Sequence, residues 1–220
     1  IANSLYTKND LVNTLSVPPE KIIALYPGVN PLLKKQNCSR PAKLNFPYLL
    51  YLGTLEPRKN IPAIIGAFEL MKQKKNFSSL KLVLAGRAGW LYQKIFEKIE
   101  NSPAKKDIIV WGAASQEEKL LLYNLAEVFV YPSFFEGFGF PPLEAQACGC
   151  PVVASNRASL PDSAILVDPW KEKDLASAIS SLLENPSLKE KLVAKGLENI
   201  KRFRWQKTAC ELLKLFARFS

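Results

Sequence analysis

The chain has 220 residues, of which 48% are hydrophobic and 23% are charged. Such a chain can bury one sizeable core or two small ones, and no stretch approaches the ~18 uninterrupted apolar residues of a membrane span. The absence of His excludes catalysis by an imidazole of this chain, and the four Cys fit a reducing, cytoplasmic setting. Residues 1–12 show no signal-peptide pattern and no initiating Met, so we expect a fragment.

The formal net charge of +10 has three readings that the sequence leaves open. It fits a solvated Lys-rich surface, a site for anionic ligands, or contact with an anionic membrane face. Nucleic acid is the least favoured partner, because Lys34-Lys35, Lys74-Lys75 and Lys105-Lys106 are scattered and lack interleaved aromatic residues. Peripheral contact with the inner face of the membrane is retained as a hypothesis.

In chain order, a first helix is predicted over Tyr6–Leu15 and ends before Pro18-Pro19. Short apolar runs then recur, and most stop at Gly or Pro. Their apolarity is continuous rather than alternating, which is typical of strands covered on both faces, as in a parallel sheet. The predicted strands are Ile22–Pro27, Tyr48–Gly53, Leu80–Gly86, Asp107–Gly112, Glu127–Pro132, Pro151–Ser155 and Ala164–Asp168.

Segments with helical periodicity separate these runs, and the chain becomes helical after Asp168-Pro169. Asn60 is the expected cap of the first interior helix, and Ser115 with Glu118 forms the pattern of a capping box. The predicted helices are Ile61–Lys74, Leu91–Glu100, Gln116–Ala126, Leu143–Cys148, Lys171–Leu183, Ser187–Phe203 and Trp205–Phe219.

This alternation predicts one α/β domain over 1–220, a doubly wound, Rossmann-like parallel sheet with helices at the C-terminal end. Ligands in such sheets bind beyond the carboxyl ends of the strands. Gly53, Gly86, Gly112 and the pair Gly137 and Gly139 all fall at that edge. The loops that contain them are therefore expected to line one site.

The stretch 132–151, PSFFEGFGFPPLEAQACGCP, carries the strongest functional pattern. Its glycines allow backbone to approach a ligand closely, and a helix is predicted to begin near Pro142. Free N–H groups at that helix start would favour an anion, and Glu136 and Glu144 could accept hydrogen bonds from hydroxyls. This is chemistry suited to a phosphorylated sugar.

A second candidate site lies in LGTLEPRKN, residues 52–60, where Arg58 and Lys59 precede a helix start. Two cations beside free N–H groups suit a diphosphate, although two solvated surface cations would give the same pattern. Gly86 and Arg87 could border a nucleobase or form a turn without a ligand. Trp90 and Trp111 could stack on a base or serve only in packing.

Other nucleotide sites are disfavoured by specific departures. The GFGFPP turn has Pro142 in place of the third Gly of a dinucleotide fingerprint, and no acidic residue follows a strand ~20 positions later. No GxxxxGK[ST] motif occurs, so a P-loop is excluded. Cys148 and Cys150 in an apolar helix end are typical of packed thiols rather than metal ligands.

LGTLEPRKN, LVLAGRAGW, VYPSFFEGFGFPPLEAQACGCPVVAS, SLPD and LVDP, in this order, resemble the C-terminal half of a retaining GT-B glycosyltransferase of family 4 (group 1). Within that family the chain is most similar to the mannosyltransferase-B-like group of polysaccharide biosynthesis. The resemblance runs from about residue 3 to the end. It implies that this domain binds a nucleotide-sugar donor, and that a separate N-terminal domain binds a glycan or lipid-linked acceptor. Residues 1–20 and 205–220 would then be helices that abut that other domain.

The resemblance also implies roles for single residues. Arg58 and Lys59 would neutralise the donor diphosphate without a metal, Glu136 would hold the transferred hexose, and these three would be the catalytic set. Glu144 would hold the ribose, and the departing phosphate would act as base in a retaining transfer from GDP-mannose. The implied donor site comprises Gly53, Thr54, Arg58, Lys59, Gly86, Arg87, Trp111, Glu136, Gly137, Phe138, Gly139, Phe140, Leu143 and Glu144.

Three departures from the family pattern qualify these implications. Thr54 stands where many relatives carry Arg, the stretch Pro161–Ala164 is shorter than the corresponding loop, and the acceptor domain is absent. We therefore expect the 220-residue chain to bind donor but to transfer poorly or not at all. The alternatives are a non-catalytic nucleotide-sugar-binding or regulatory module and a structural or interaction domain.

Overall fold

The computed structural model describes residues 1–156 and 163–217, and its centre is a six-stranded parallel sheet. The strands are β1 Tyr48–Leu52, β2 Lys81–Ala85, β3 Ile108–Gly112, β4 Val128–Tyr131, β5 Val152–Ser155 and β6 Ile165–Val167. They lie in the order β3-β2-β1-β4-β5-β6. The order reverses between β1 and β4, which makes that junction the topological switch point of a doubly wound sheet.

Eight α-helices flank the sheet in the described part of the chain. They are α1 Leu5–Leu15, α2 Ile61–Lys72, α3 Gln93–Glu100, α4 Gln116–Leu125, α5 Phe140–Ala147, α6 Glu172–Glu184, α7 Pro186–Ile200 and α8 Trp205–Phe216. Helix α2 packs against α3 and α6, whereas α5 packs against α4 and α7. The Rossmann-like α/β prediction is confirmed. No helix among the described residues is both long and apolar enough to cross a bilayer.

The burial of the strands explains why their sequences are continuously apolar. Every residue of β1, β4 and β5 is buried, because helices cover both faces of the middle of the sheet. The edge strands β3 and β6 are only partly covered, and Val110 and Leu166 are exposed. Burial also raises the pKa of the Cys148 thiol to about 12, as expected of a packed rather than a reactive cysteine.

One predicted strand is wrong. Ile22–Pro27 forms a single bridge, between Ala24 and Ala2, instead of joining the sheet. The bridge is made by Ala2 N–H to the Ile23 carbonyl (2.9 Å) and by Leu25 N–H to the Ala2 carbonyl (2.8 Å). Ile22 and Leu25 are buried although Ile23 is exposed, so the apolar pattern indicated burial of part of the segment rather than sheet pairing.

A helix start and a helix cap also differ from prediction. Helix α3 begins at Gln93 because Leu91 has a φ of +51°, which a helix cannot contain. Asn60 does precede α2, but it is left-handed and its side chain caps nothing. The Asn60 Nδ2 instead donates to the Pro169 carbonyl at 2.6 Å. The capping box of Ser115 and Glu118 is confirmed.

The predicted alignment of glycines at the carboxyl ends of the strands is present. Gly53, Gly86 and Gly112 stand side by side where β1, β2 and β3 end, with Gly53 N–H bound to the Ala85 carbonyl (2.9 Å) and Gly86 N–H to the Gly112 carbonyl (2.7 Å). A Cβ on Gly86 would lie 1.8 Å from the Gly53 carbonyl oxygen. Glycine at this position is therefore required for neighbouring strand ends to approach.

We expect Gly86→Ala to lower the free energy of unfolding by about 2–4 kcal/mol, because a backbone carbonyl cannot yield to the new methyl group. Gly112→Ala is the matched control. Gly112 also has a positive φ (+80°), but its added Cβ would meet nothing within 4 Å. The control should therefore cost only about 1 kcal/mol of backbone strain. Urea unfolding measures both, and equal losses would contradict the steric explanation.

Candidate functional site

The candidate site lies at the switch point, where the loops after β1 and β4 face each other. Arg58 and Lys59 belong to a single 3₁₀ turn, Pro57–Lys59, between β1 and α2. Glu136 lies in the loop between β4 and α5. The Phe134 N–H donates to the Arg58 carbonyl at 3.0 Å, so backbone already joins the two loops.

The side chains form a compact ionic cluster around one carboxylate oxygen. Glu136 Oε1 accepts from Lys59 Nζ at 2.6 Å, from Arg58 Nη1 at 3.0 Å and from the Tyr131 hydroxyl at 3.2 Å. Lys59 Nζ also donates to the Tyr131 hydroxyl at 2.7 Å. Lys59 and Glu136 are 7% and 8% exposed, so each is the counter-charge that allows the other to be buried.

Arg58 is the exposed arm of this cluster and is held by two carboxylates. Its Nη2 donates to Glu56 Oε1 at 2.8 Å, and its Nη1 also donates to the Phe135 carbonyl at 2.8 Å. Partial burial lowers the pKa of Arg58, but the Glu136 and Glu56 carboxylates outweigh it, and the net pKa is above the ordinary value. The guanidinium therefore keeps its charge at every accessible pH.

The Tyr131 hydroxyl is a permanent donor in the same cluster. Burial, and then the neighbouring Glu136 carboxylate, hold the pKa of Tyr131 well above its ordinary value. Tyr51 stacks on Tyr131 with ring centroids 5.9 Å apart, and its pKa is raised by burial and by Glu136. Both phenols therefore stay neutral, and Tyr131 orients the Glu136 carboxylate, whereas the Tyr51 hydroxyl donates to the Thr54 carbonyl at 2.8 Å.

Beside the cluster, above the ends of β1, β2 and β3, lies a cleft of about 420 Å³. Two of its lining groups are cationic side chains, Arg87 and Lys119, and neither forms an ion pair with another residue of 1–156 or 163–217. The lining consists of Leu52, Gly53, Thr54, Gly86, Arg87, Ala113, Ala114, Lys119, Phe140, Pro141 and Glu144. The cleft is thus a concave site with free positive charge.

Glu144 lines one side of this cleft, and a buried tyrosine of helix α4 orients its carboxylate. The buried Tyr123 hydroxyl donates to Glu144 Oε2 at 3.0 Å. Burial and then the Glu144 carboxylate keep the pKa of Tyr123 well above its ordinary value, so this hydroxyl does not release its proton. One carboxylate oxygen is therefore fixed, and the other can accept from a ligand.

Helix α5 supplies backbone donors to the same region. It begins at Phe140, two residues before the predicted start, and its cap Gly139 has a φ of +85° and no side-chain cap. Pro141 and Pro142 remove two of the four N–H groups that a helix start leaves unpaired. In the described part of the chain, the remaining N–H groups of Gly139 and Phe140, and that of Phe138, have no acceptor. These amides are available to an anion.

The structure separates the predicted residues into four groups, besides Gly139, which caps the start of α5. Arg58, Lys59 and Glu136 form the ionic cluster, while Gly53, Thr54, Gly86, Arg87, Phe140 and Glu144 line the cleft. Leu143 is 1% exposed in the core, and Trp111 lies outside the cleft lining with its ring centroid 4.3 Å from Lys43 Nζ. Gly137 and Phe138 connect the loop between β4 and α5 to the N- and C-terminal segments of the chain. The Gly137 carbonyl accepts from Ser4 and Thr7 hydroxyls, and the Phe138 ring packs on Tyr26 and Phe203.

Sequence reasoning missed Lys119 and the two supporting tyrosines, Tyr123 and Tyr131. Lys119 follows the capping box of α4 by one residue, and this placement near a helix start at the ligand edge is the only signal that could have identified it. Both tyrosines sit in apolar surroundings, where their sequence pattern is that of core residues. Pro161 and Asp162, which are half of the shortened stretch Pro161–Ala164, lie outside the described residues.

The chain resembles glycosyltransferases in sequence and in structure. The family described as "Glycosyl transferases group 1" matches residues 34–199. O-antigen chain mannosyltransferase B of Escherichia coli is 36% identical over 173 residues, which are 77% of this chain and 45% of that protein.

Solved structures share the fold over nearly the whole chain. The sucrose-phosphate synthase of Thermosynechococcus elongatus superposes with a TM-score of 0.86 at 24% identity, over 99% of this chain and 57% of that one. Anabaena Alr3699/HepE in complex with UDP-glucose gives 0.84 at 19% identity, over 97% and 63%. The chain thus spans less than two thirds of these relatives. Its sheet matches the C-terminal domain of the GT-B fold, and the family match covers most of its residues. The chain belongs to the group 1 glycosyl transferases.

Proposed function

We propose that this chain is the donor-binding domain of a retaining, metal-independent hexosyltransferase that uses a nucleoside diphosphate sugar. The observation that carries the proposal is the cluster of Arg58, Lys59 and Glu136 beside a cationic cleft that ends at Glu144. Mannose is the favoured sugar because the E. coli relative is named a mannosyltransferase. GDP is favoured as the nucleotide from the sequence resemblance, and HepE, solved with UDP-glucose, supports a nucleotide-sugar site.

The cluster retains donors for a diphosphate even while Glu136 occupies it. Of the five N–H groups of Arg58, three are used by Glu136, Glu56 and the Phe135 carbonyl. Of the three N–H groups of Lys59, two are used by Tyr131 and Glu136. The unused N–H groups and the free amides of α5 can bind phosphate oxygens without breaking the buried ion pair.

We propose that transfer is driven by electrostatic stabilisation of the leaving group. The bond between the anomeric carbon and the terminal phosphate oxygen breaks, and negative charge develops where Arg58, Lys59 and the α5 amides can stabilise it. The acceptor oxygen bonds to the same carbon on the same face, and its proton passes to the departing phosphate. Glu136 accepts hydrogen bonds from sugar hydroxyls, which positions the ring rather than protonating it.

At the other end of the donor, Glu144 is placed to accept from ribose hydroxyls. Arg87 and Lys119 lie further towards β2 and β3, where the nucleobase would extend. The acceptor would be a glycan or a lipid-linked sugar, bound largely by a further part of a longer protein. We propose that this chain alone transfers poorly or not at all, and that the protein acts in the cytoplasm, with peripheral membrane contact as a hypothesis.

Calorimetric titration with GDP, UDP, ADP, GDP-mannose and NAD should show selective binding of one nucleoside diphosphate and of its sugar. Arg58→Ala/Lys59→Ala should weaken it by at least 100-fold, since each charged hydrogen bond contributes ~1.5–3 kcal/mol. Arg58→Lys, which keeps the charge at a half-exposed side chain, should retain the fold and still lose affinity. Lys98→Ala, whose Nζ pairs with Glu69 at 2.9 Å away from the cleft lining, is the control and should bind normally.

If none of the nucleotides binds to the folded chain, or if NAD binds best, the proposed donor site is wrong. Binding of the nucleoside diphosphate without any preference for its sugar form would favour a nucleotide-binding module without catalysis. Circular dichroism of each variant separates lost binding from lost folding.

Glu144→Ala should weaken nucleoside diphosphate binding by about 10- to 100-fold, because the ribose loses hydrogen bonds to a charged acceptor. Inorganic pyrophosphate, which has no ribose, should bind the variant as well as it binds the parent. Tyr123→Phe removes only the group that orients Glu144, so a smaller loss of about 2- to 10-fold is expected. Parallel titrations measure all three, and an equal loss for pyrophosphate would contradict the assignment of Glu144 to the ribose.

Glu136→Gln should tighten binding of the free nucleoside diphosphate by about 3- to 30-fold, because a negative charge next to the phosphates is removed. The same variant should have a lower melting temperature, since Lys59 stays buried without its counter-charge. Glu100→Gln, which removes an exposed partner of Lys105, is the control and should change neither quantity. Weaker diphosphate binding by Glu136→Gln would show that the carboxylate does not compete with phosphate.

A further inference from the structure

A pair of aromatic rings in contact, one exposed and one half-buried, adjoins the loop that carries Glu136. Trp170 is 71% exposed, yet its ring lies against Phe134 with centroids 4.2 Å apart and an interplanar angle of 31°. Phe135, the next residue of the loop, is 41% exposed and contacts Tyr6 edge-on at 5.7 Å. We call Phe134 and Trp170 the aromatic platform. So much exposed aromatic surface in one place indicates a binding surface.

The platform is held by residues that adjoin the ionic cluster. Trp170 N–H donates to Asp168 Oδ1 at 3.1 Å, and the preceding Pro169 carbonyl accepts from Asn60 at 2.6 Å. Asn60 directly follows Lys59, is 7% exposed, and adopts a left-handed conformation (φ +54°). The Asn60 side chain makes this contact instead of capping α2, although its backbone is strained. The contact therefore fixes the position of Trp170.

The order of the strands places the platform on the far side of Glu136 from the nucleotide cleft. The cleft lies over the ends of β3, β2 and β1, and Glu136 follows β4. Trp170 follows β6, two strands beyond β4, but its ring centroid lies 4.2 Å from that of Phe134, which is two residues before Glu136 in the loop after β4. The order along that edge is therefore the cleft proposed for the nucleotide, the cations Arg58 and Lys59, the Glu136 carboxylate, and then the platform.

The chemistry of the platform suits a sugar ring rather than an ion or a nucleobase. Its rings bring no charge, and the nucleotide region is on the opposite side of Glu136. The negative face of an aromatic ring attracts the polarised C–H groups on the apolar face of a pyranose, as it attracts other positive edges. The pre-ordered stack adds little entropic cost on binding.

We propose that the aromatic platform binds a pyranose ring of the acceptor glycan. This inference rests on the proposed function, because the acceptor is the group expected beyond the transferred sugar. Glu136, which would hold the transferred sugar, lies between the cations and the platform, so the ring on the platform is not the one whose hydroxyl reacts. The platform therefore favours acceptors of more than one residue.

The test is saccharide binding to the 220-residue chain, followed by ¹H–¹⁵N NMR of the tryptophan indoles. The chain has four Trp, and Trp170→Ala identifies the signal of Trp170 by its disappearance. Titration with α-linked mannotetraose, without nucleotide, should shift the Trp170 signal in the millimolar range. Methyl α-mannopyranoside should bind at least 3-fold more weakly.

Trp170→Ala should lose the saccharide binding by 10-fold or more and should leave nucleoside diphosphate titrations unchanged. Trp90→Ala is the matched control, because Trp90 is 63% exposed but lies in the loop before α3, away from the platform. No shift of Trp170 with any saccharide, or equal losses in the two variants, would overturn the inference. Since nucleotide binding is measured separately and without saccharide, failure of the platform does not affect the donor site, and failure of the donor site is seen directly.

Discussion

The buried ion pair between Lys59 and Glu136 is the interaction on which the site depends. It joins the loop after β1 to the loop after β4, across the point where the strand order reverses. Helices α2 and α5 leave these loops to pack with different partners, so a crevice opens between them. Neither charge could be buried alone without a cost of several kcal/mol. The two loops are therefore positioned as one unit, and with them Arg58, the α5 amides and the Asn60 contact to the β6 loop.

The fold was predictable where local pattern and tertiary environment agree. The middle strands are buried on both faces, so each has a continuous apolar sequence that ends at the glycine edge. Ile22–Pro27 has the same pattern but forms a single bridge, between Ala24 and Ala2, so an apolar run alone does not identify a strand of the sheet. Asn60 is a single residue at which local sequence pattern and tertiary environment disagree. Its type fits a cap, but a carbonyl more than 100 positions away in the sequence competes for its side chain.

The candidate site was predictable where charge and glycine stand at strand ends, as with Arg58, Lys59, Glu136 and Glu144. The groups that orient these charged side chains were not predictable from the sequence. Tyr131 and Tyr123 belong to apolar segments, and only their position in the folded chain shows that each hydroxyl meets a carboxylate. Trp111 illustrates the converse, because an aromatic residue at the right edge is packed under a lysine rather than placed in the cleft. Packing in the folded chain decides whether a side chain at a strand end points into the cleft or away from it.

The sequence of chemical environments along the sheet edge constrains how a transfer could proceed. Cations and free amides lie between the cleft and Glu136, so a leaving diphosphate would be held on the nucleotide side of the reacting carbon. For the configuration to be retained, the acceptor hydroxyl has to approach the same face from which the phosphate departs.

The space beside Glu136 on the β6 side is the part of the edge that the proposed donor would not need. A platform fixed there by Asn60 would align a glycan along the edge, so that its reactive end points towards the cations while an inner ring rests on Trp170. Asn60, which holds the Pro169 carbonyl, directly follows Lys59, so acceptor alignment on the platform would be coupled to the geometry of the proposed donor site.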